Sequence, residues 1–359
     1  MSNDRATQFQ AYDNYLWRKK TVFIIFMIAT IVTAFFAIST GSINIPVPEI
    51  VKSLFNQGSP QFQIVVMNIR LPRVVAAIIV GAILAVSGAV MQCVLRNPLA
   101  SASTLGVSQG AAFGAALGII VFGGGVVNSD SAAVAVSINN PYIVTICAFL
   151  FGSLSSVVVI ILSQFKKDLG PGGLVLAGVA LSSLFSGGST LLQYFADETK
   201  ISSVVFWTFG NLGSAAWFEL LILTIVFLVS LGYFLYNRWN YNAMESGADT
   251  AKSLGVNTQS VMLVSMAICS LATAVAVSFV GIISFVGLVA PHIMRRFVGN
   301  DYRYLIPCSA IAGALLLILA DTFARLIIAP VILPIGAITS FLGAPLFLYL
   351  LFRGFKTNG

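Results

Sequence analysis

The stretch Arg238–Gly255, RWNYNAMESGADTAKSLG, decides how this chain is read, because a polar and partly acidic run stands there between two long apolar ones. Leu220–Tyr236 precedes it and Val261–Val280 follows, each about long enough to cross a hydrocarbon core of roughly 30 Å as a helix. The polar run therefore sits in water between two membrane spans. It is too long for a tight turn, and Glu245–Leu254 holds good helix formers, so a short helix outside the membrane is expected there. Such a helix is either a solvated connector or a surface offered to something else.

Working outward, the composition agrees. Of 359 residues, 58% are hydrophobic and 9% charged, and the mean hydropathy is +0.96, whereas about a quarter of a soluble domain is charged. Hydrocarbon offers no water to bare amides, so spans must be helices or closed barrels. Continuous apolar runs exclude a barrel's alternation. The expected fold is an all-α polytopic membrane protein of about ten transmembrane helices, with apolar spans near 21–39, 74–95, 104–122, 142–163, 173–195, 216–236, 259–280, 283–298, 304–325 and 334–352. A basic amphiphilic start precedes Thr21–Ile38 without a small-residue cleavage site, so this segment reads as a retained first span. The chain then divides into an N-terminal segment 1–20, one helical domain 21–352 containing the 238–258 connector, and a tail 353–359.

Orientation follows from Lys and Arg. Fourteen (Arg5, Arg18, Lys19, Lys20, Arg96, Lys166, Lys167, Arg238, Lys252, Arg295, Arg296, Arg303, Arg353 and Lys356) fall on one side and five (Lys52, Arg70, Arg73, Lys200 and Arg325) on the other. Both termini and the connector are therefore cytoplasmic, and the net charge of +7 is a topology signal rather than a nucleic-acid footprint. Cys93, Cys147, Cys269 and Cys308 have no metal-type spacing and read as small apolar residues. His292 is the single histidine, so a zinc site or an enzyme's acid–base cluster is not indicated. No glycine-rich loop ending in Gly-Lys-Ser/Thr is present, so any nucleotide that drives transport is bound by another subunit.

Several segments carry finer expectations. Residues 40–73 contain prolines at 46, 48, 60 and 72, which argue against a continuous helix. Arg70 and Arg73 flank Pro72 at the outer surface, where they either anchor the span end or dock carboxylates of an outside protein. Gly110, Gly114 and Gly118 recur every four residues and provide a close-packing face. Ser182, Ser186, Ser189 and Gln193 share one face of the fifth span, either lining a passage or bonding back to the preceding turn. Residues 203–218 read as an outer re-entrant or interfacial helix. Gly281, Gly287 and Pro291 interrupt an apolar run, and broken helices survive only inside protein, so this run should be internal. Asp321 and Arg325, four apart, can pair, and Arg325 could also join Arg70 and Arg73 in a basic outer rim.

RLPR (70–73), RNPLA (96–100), LGVSQGA (105–111), WTFGNL (207–212), GADTAKSLG (247–255), GIISFVGLVAPHIMRR (281–296), ADTFAR (320–325) and LPIGAITSFLGAPLF (333–347) occur in that order. Together they resemble the iron-chelate and cobalamin permease family, the transmembrane subunits of type II ABC importers, from about residue 40 to the end. The resemblance implies a homodimer in a bacterial or archaeal cytoplasmic membrane, with two separate cytoplasmic ATPases carrying ATP and Mg, an external solute-binding protein, and no cofactor on this chain. It implies ATPase coupling through Gly247, Ala251, Leu254 and Gly255, although Ala248 stands where many relatives are acidic. It also implies binding-protein docking at Arg70, Arg73 and Arg325, and a pathway lined by the fifth and tenth spans and by 203–213. The expected cargo is a ferric siderophore or haem, with cobalamin or an oxyanion such as molybdate as the alternative. An ion-coupled secondary transporter is the remoter rival, since Asp321 alone could serve as a midplane carboxylate.

Overall fold

The computed structural model describes residues 2–41, 43–124, 126–127, 136–137, 141–165, 170–329 and 331–355. Most of the 123–140 outer loop, Lys166, Lys167 and the tail from 356 lie outside them. The helices are α1 (Ser2–Ser39), α2 (Val47–Leu54), α3 (Pro60–Val65), α4 (Leu71–Val94), α5 (Val107–Ile120), α6 (Pro141–Phe165), α7 (Pro171–Tyr194), α8 (Glu198–Thr208), α9 (Trp217–Tyr236), α10 (Arg238–Glu245), α11 (Ala248–Ser253), α12 (Thr258–Val280), α13 (Val286–Val298), α14 (Tyr302–Leu326) and α15 (Ile335–Phe355). Seven helical stretches among the described residues are long and apolar enough to cross a bilayer, and α5 and most of α15 (Ile335–Tyr349) are shorter apolar helices.

At the centre is α4, in which every residue from Ile79 to Val94 is buried. A circumference that is apolar but for Ser87 and Gln92 suits a helix with protein on every side. Glycines permit the contact distances. A Cβ on Gly81 would sit 2.4 Å from the carbonyl oxygen of Gly313 on α14, and one on Gly88 would meet Gly287 on α13. The glycine face of α5 lies against α6, where a Cβ on Gly110 would come within 2.5 Å of the Phe151 oxygen. In contrast, α7 leaves a broad apolar flank uncovered, with Leu184 67% and Leu191 65% exposed.

Three segments differ from expectation. Pro72 does not interrupt the outer end of α4: α3, one wide π-helical turn (Val66–Arg70) and α4 run on as one rod. The wider turn makes room for the ring that would otherwise strike the carbonyl four residues back, and the missing amide falls in the first turn of α4, where the cost is least. The connector forms two short helices rather than one, because Gly247 has φ +121° and breaks the run. The outer helix begins earlier than expected, at Glu198, and ends at Thr208 before a tight turn at Leu212–Ser214.

The broken segment is internal. Gly281 turns the chain at φ +77°, and Phe285 adopts a left-handed conformation at φ +65° before α13 begins. The Asn211 amide donates to the Val280 carbonyl at 2.7 Å, and the Ser214 hydroxyl donates to the Phe279 carbonyl at 2.9 Å. Neighbouring protein thus takes up carbonyls that lipid could not satisfy.

Candidate functional site

On the cytoplasmic face, α10 is set into the bundle. Tyr241 and Met244 are buried, and the Tyr241 hydroxyl lies 2.8 Å from that of Ser265 on α12. Asn242 donates to Asp301 and accepts from the Tyr302 amide at 2.8 Å, while Arg96 donates to the Met244 carbonyl at 3.2 Å. Arg295 donates to Gln92 and to the Tyr302 hydroxyl, and Glu245 receives Asn300 at 2.9 Å. One short helix is therefore joined to α12, to the start of α14 and to the turn after α4, and Arg295 ties α13 to α4 and α14 beside it. Burial works against the Asp301 carboxylate, but hydrogen bonds from Arg303, Asn242 and the Arg303 amide outweigh it and lower its pKa to about 2.

The four residues singled out in the connector divide into three kinds. Gly247 and Gly255 bracket α11 with φ +121° and +81°, conformations that side-chain-bearing residues adopt at a cost. Ala251 is fully buried and faces the bundle. Leu254, 68% exposed, is the one whose side chain projects away from the bundle. Beside it, Asp249 and Lys252 pair at 3.6 Å on the open surface. Arg96, Gln92, Asn242, Arg295 and Tyr302, which hold this platform in place, carry no sequence pattern that marks them as its mount.

On the outer face, the three arginines point inward. Arg70, 6% exposed, donates to the carbonyls of Ile38, Ser39 and Ile43 and so closes the C-terminal end of α1. Arg73 meets Asp321 at 2.8 Å, and Arg325 reaches the same carboxylate at 3.0 Å as the i, i+4 spacing suggests. Arg325 also donates to Ala37 and Thr40 at the end of α1. Their side chains are 11% and 10% exposed. Free helix-end carbonyls and one buried carboxylate consume these donors, so this conformation holds no open guanidinium rim for an external carboxylate.

On α7 the hydroxyls bond back along their own helix. Ser182 donates to Gly178 at 2.8 Å, Ser189 to Phe185 at 2.9 Å and Gln193 to Ser189 at 3.2 Å. Ser186 is exposed, and its carbonyl takes Thr190 at 3.0 Å. The Gln193 amide thus finds its partner one turn back on the same helix. Cys93, Cys269 and Cys308 are buried free thiols, and Cys147 is partly buried. Among the described residues no group of His, Cys, Asp and Glu is arranged to hold a metal ion.

The FecCD transport family matches residues 29–353. The protein MJ0087 of Methanocaldococcus jannaschii, which carries the name of an ABC transporter permease, is 53% identical over 97% of this chain and 98% of its own. The iron(3+)-hydroxamate import system permease protein FhuB of Bacillus subtilis is 37% identical over 88% of this chain and 79% of its own. A solved structure described as an inward-facing conformation of a metal-chelate type ABC transporter aligns with TM-score 0.80 at 32% identity, covering 93% of this chain and 99% of that one. With matches that span nearly its whole length and a fold that superposes on theirs, the chain belongs to the FecCD transport family and is a multi-pass permease subunit of an ABC importer.

Proposed function

We propose that this permease moves a bulky ferric chelate, a siderophore or haem, into the cytoplasm by alternating access between two copies of the chain. A separate pair of ATPases, carrying ATP and Mg, would supply the work. One observation carries the proposal: Leu254 stands out at the end of α11, while Ala251 of α11 and Tyr241 and Met244 of the adjoining α10 are sunk in the core. A push on that surface is transmitted to α4, α12 and α14 through packed side chains and hydrogen bonds rather than absorbed by a loose loop.

The uncovered flanks of α7 and α15, with Leu191 and Phe341 exposed, suit a seam against a second copy and a passage between the two. An apolar lining with hydroxyls tied to their own helix gives little grip, which fits a large cargo in transit. For the external binding protein, the buried arginines shape the rim and contact falls to exposed neighbours on α2 such as Lys52, whose side chain is 55% exposed.

The test is reconstitution in proteoliposomes with the ATPase and binding protein encoded beside this chain. Uptake of radiolabelled ferric hydroxamate or haem should require ATP on the cytoplasmic side and should stop when Leu254 is replaced by Asp. Uptake driven by an ion gradient without nucleotide would overturn the assignment.

A further inference from the structure

Glu219 is the one charged residue of α9, and it stands on the side of that helix that faces protein. Steps of four, seven and four residues lead from it to Leu223, Ser230 and Phe234, all buried, so the carboxylate lies on the inward stripe and not on the lipid flank. Its Oε2 atom is sealed from solvent and has no hydrogen-bond partner. Among the described residues no donor reaches the other oxygen and no cation pairs with it. A carboxylate in a first turn interacts favourably with its own helix, but that leaves the sealed oxygen unexplained. A buried polar atom without a protein partner calls for a water or an ion.

The residue lines a cavity of about 270 Å³ at the outer face, bounded by the start of α6, the end of α8, the Leu212–Ser214 turn and the end of α12. The three serines in its lining have spent their protons. Ser203 donates to the Thr199 carbonyl at 2.9 Å, Ser214 to the Asn211 and Phe279 carbonyls at 2.6 and 2.9 Å, and Ser278 to the Val275 carbonyl at 2.9 Å. A hydroxyl whose proton is engaged keeps only lone pairs to offer. Asn211 Oδ1 accepts the Gly213 amide at 2.9 Å and retains a second lone pair.

Charge decides the sign of a guest. Four helix ends reach the cavity: the C-terminal ends of α8 and α12 carry partial negative charge, the starts of α6 and α9 partial positive charge, and the two kinds offset each other in number. The one whole charge in the lining is the Glu219 carboxylate, and no lysine, arginine or histidine contributes to it.

We propose that this cavity is a site for an alkali metal cation, Na⁺ in the first instance, taken from the outer medium and held by the Glu219 carboxylate with neutral serine and asparagine oxygens. Such a donor set is all oxygen, which suits a hard cation and differs from a transition-metal centre. One carboxylate balances one positive charge, whereas a divalent ion would leave a charge uncompensated in a partly buried place. The space is several times the roughly 30 Å³ share of one water, so the ion keeps part of its hydration shell. Bound there, it ties the start of α9 to the ends of α8 and α12.

The test uses the full chain in phosphatidylcholine nanodiscs, with NaCl titrated against choline chloride at constant ionic strength. Trp207 lines the cavity, so Na⁺ should produce a saturable change in tryptophan fluorescence. At ten times its Kd the ion should also raise the melting midpoint by about 2 °C. Glu219→Gln should lose both responses, while Glu219→Asp and Ser278→Ala should keep them with affinity several-fold weaker. Trp207→Phe should lose the fluorescence change and keep the shift in midpoint. A wild-type protein that responds alike to the two salts overturns the proposal whatever the variants do, and so does a folded Glu219→Gln protein that still responds saturably to Na⁺. A helix-end role alone would lower the midpoint of Glu219→Gln by the same amount in both salts, which also overturns it. Should Glu219→Gln fail to fold, the other two variants decide: Na⁺ affinity unchanged in both Glu219→Asp and Ser278→Ala overturns the site. Neither cargo nor ATPase enters the assay, so its outcome is separate from the transport assignment.

Discussion

Asp321→Asn tests whether the outer arginine cluster is structural. The carboxylate is 2% exposed and receives Arg73 at 2.8 and 2.9 Å and Arg325 at 3.0 Å. Asparagine preserves the shape and removes the charge, stranding two nearly buried guanidiniums without a counter-ion. Breaking a buried pair by removing one partner costs about 3–5 kcal/mol, and a lone cation at the bilayer centre about 2.5–3.5 kcal/mol. The cluster lies toward the outer end of α14, so the lower part of that range applies, about 3 kcal/mol. Against a total stability of roughly 5–15 kcal/mol this is a large loss. Thermal unfolding in detergent, followed by tryptophan fluorescence, should show a clear fall in midpoint. Asp321→Glu should lose less. Adding Arg73→Met to Asp321→Asn should recover part of the loss, because Arg73 makes its ion pair with Asp321 alone and its removal deletes one stranded charge. A single variant that melts like the wild type, or a double variant no better than the single, would refute the structural account. A normal melt with weakened binding-protein affinity would instead favour a docking role for these arginines.

Other expectations are briefer. Leu254→Asp should leave folding and membrane insertion intact and reduce stimulation of the partner ATPase at least several-fold, because the side chain touches solvent and not the bundle; stimulated turnover in nanodiscs measures it. Gly255→Val meets open space but must adopt φ +81°, so a stability loss of about 1–2 kcal/mol without a steric clash is expected in the same melt. Gly88→Ala should prevent a monodisperse peak on size exclusion, since its methyl would overlap the Gly287 carbonyl in the tightest helix contact of α4. For pH, the Asp301 pKa is lowered from 3.8 to about 2 in the folded protein, so its contribution is present above pH 4 and is lost as pH falls through about 2. Acid melts of Asp301→Asn should accordingly show a shallower decline over that window than the wild type.

Much of this architecture was legible in the sequence for local reasons. Apolar run length located the spans, the four-residue glycine spacing located the α5 face, and Gly281 with Gly287 marked the internal break, because each signal is contained within one segment. What escaped depends on residues far apart. Arg70 looks like a surface arginine until the carbonyls at the end of α1, about thirty residues earlier, come within its reach. Arg73 and Asp321 are separated by 248 positions, and nothing in RLPR reveals a partner on the fourteenth helix. The serines of α7 lie on a shared face as expected, yet spacing alone cannot distinguish a hydroxyl aimed outward from one folded back on the preceding turn.

The first helix shows what the ionic contacts at both membrane faces entail. Most of its flank is left uncovered by the rest of the chain, yet Lys19, fully buried, reaches Asp301 at 3.7 Å just before the start of α14, and Arg325 near the far end of α14 grips carbonyls at the end of α1. The two run side by side, tied at Lys19 midway along α1 and again at the outer end of α1. Neither can slide or tilt without the other, so whatever rearrangement accompanies a transport cycle must carry this pair as one rigid piece and find its flexing elsewhere.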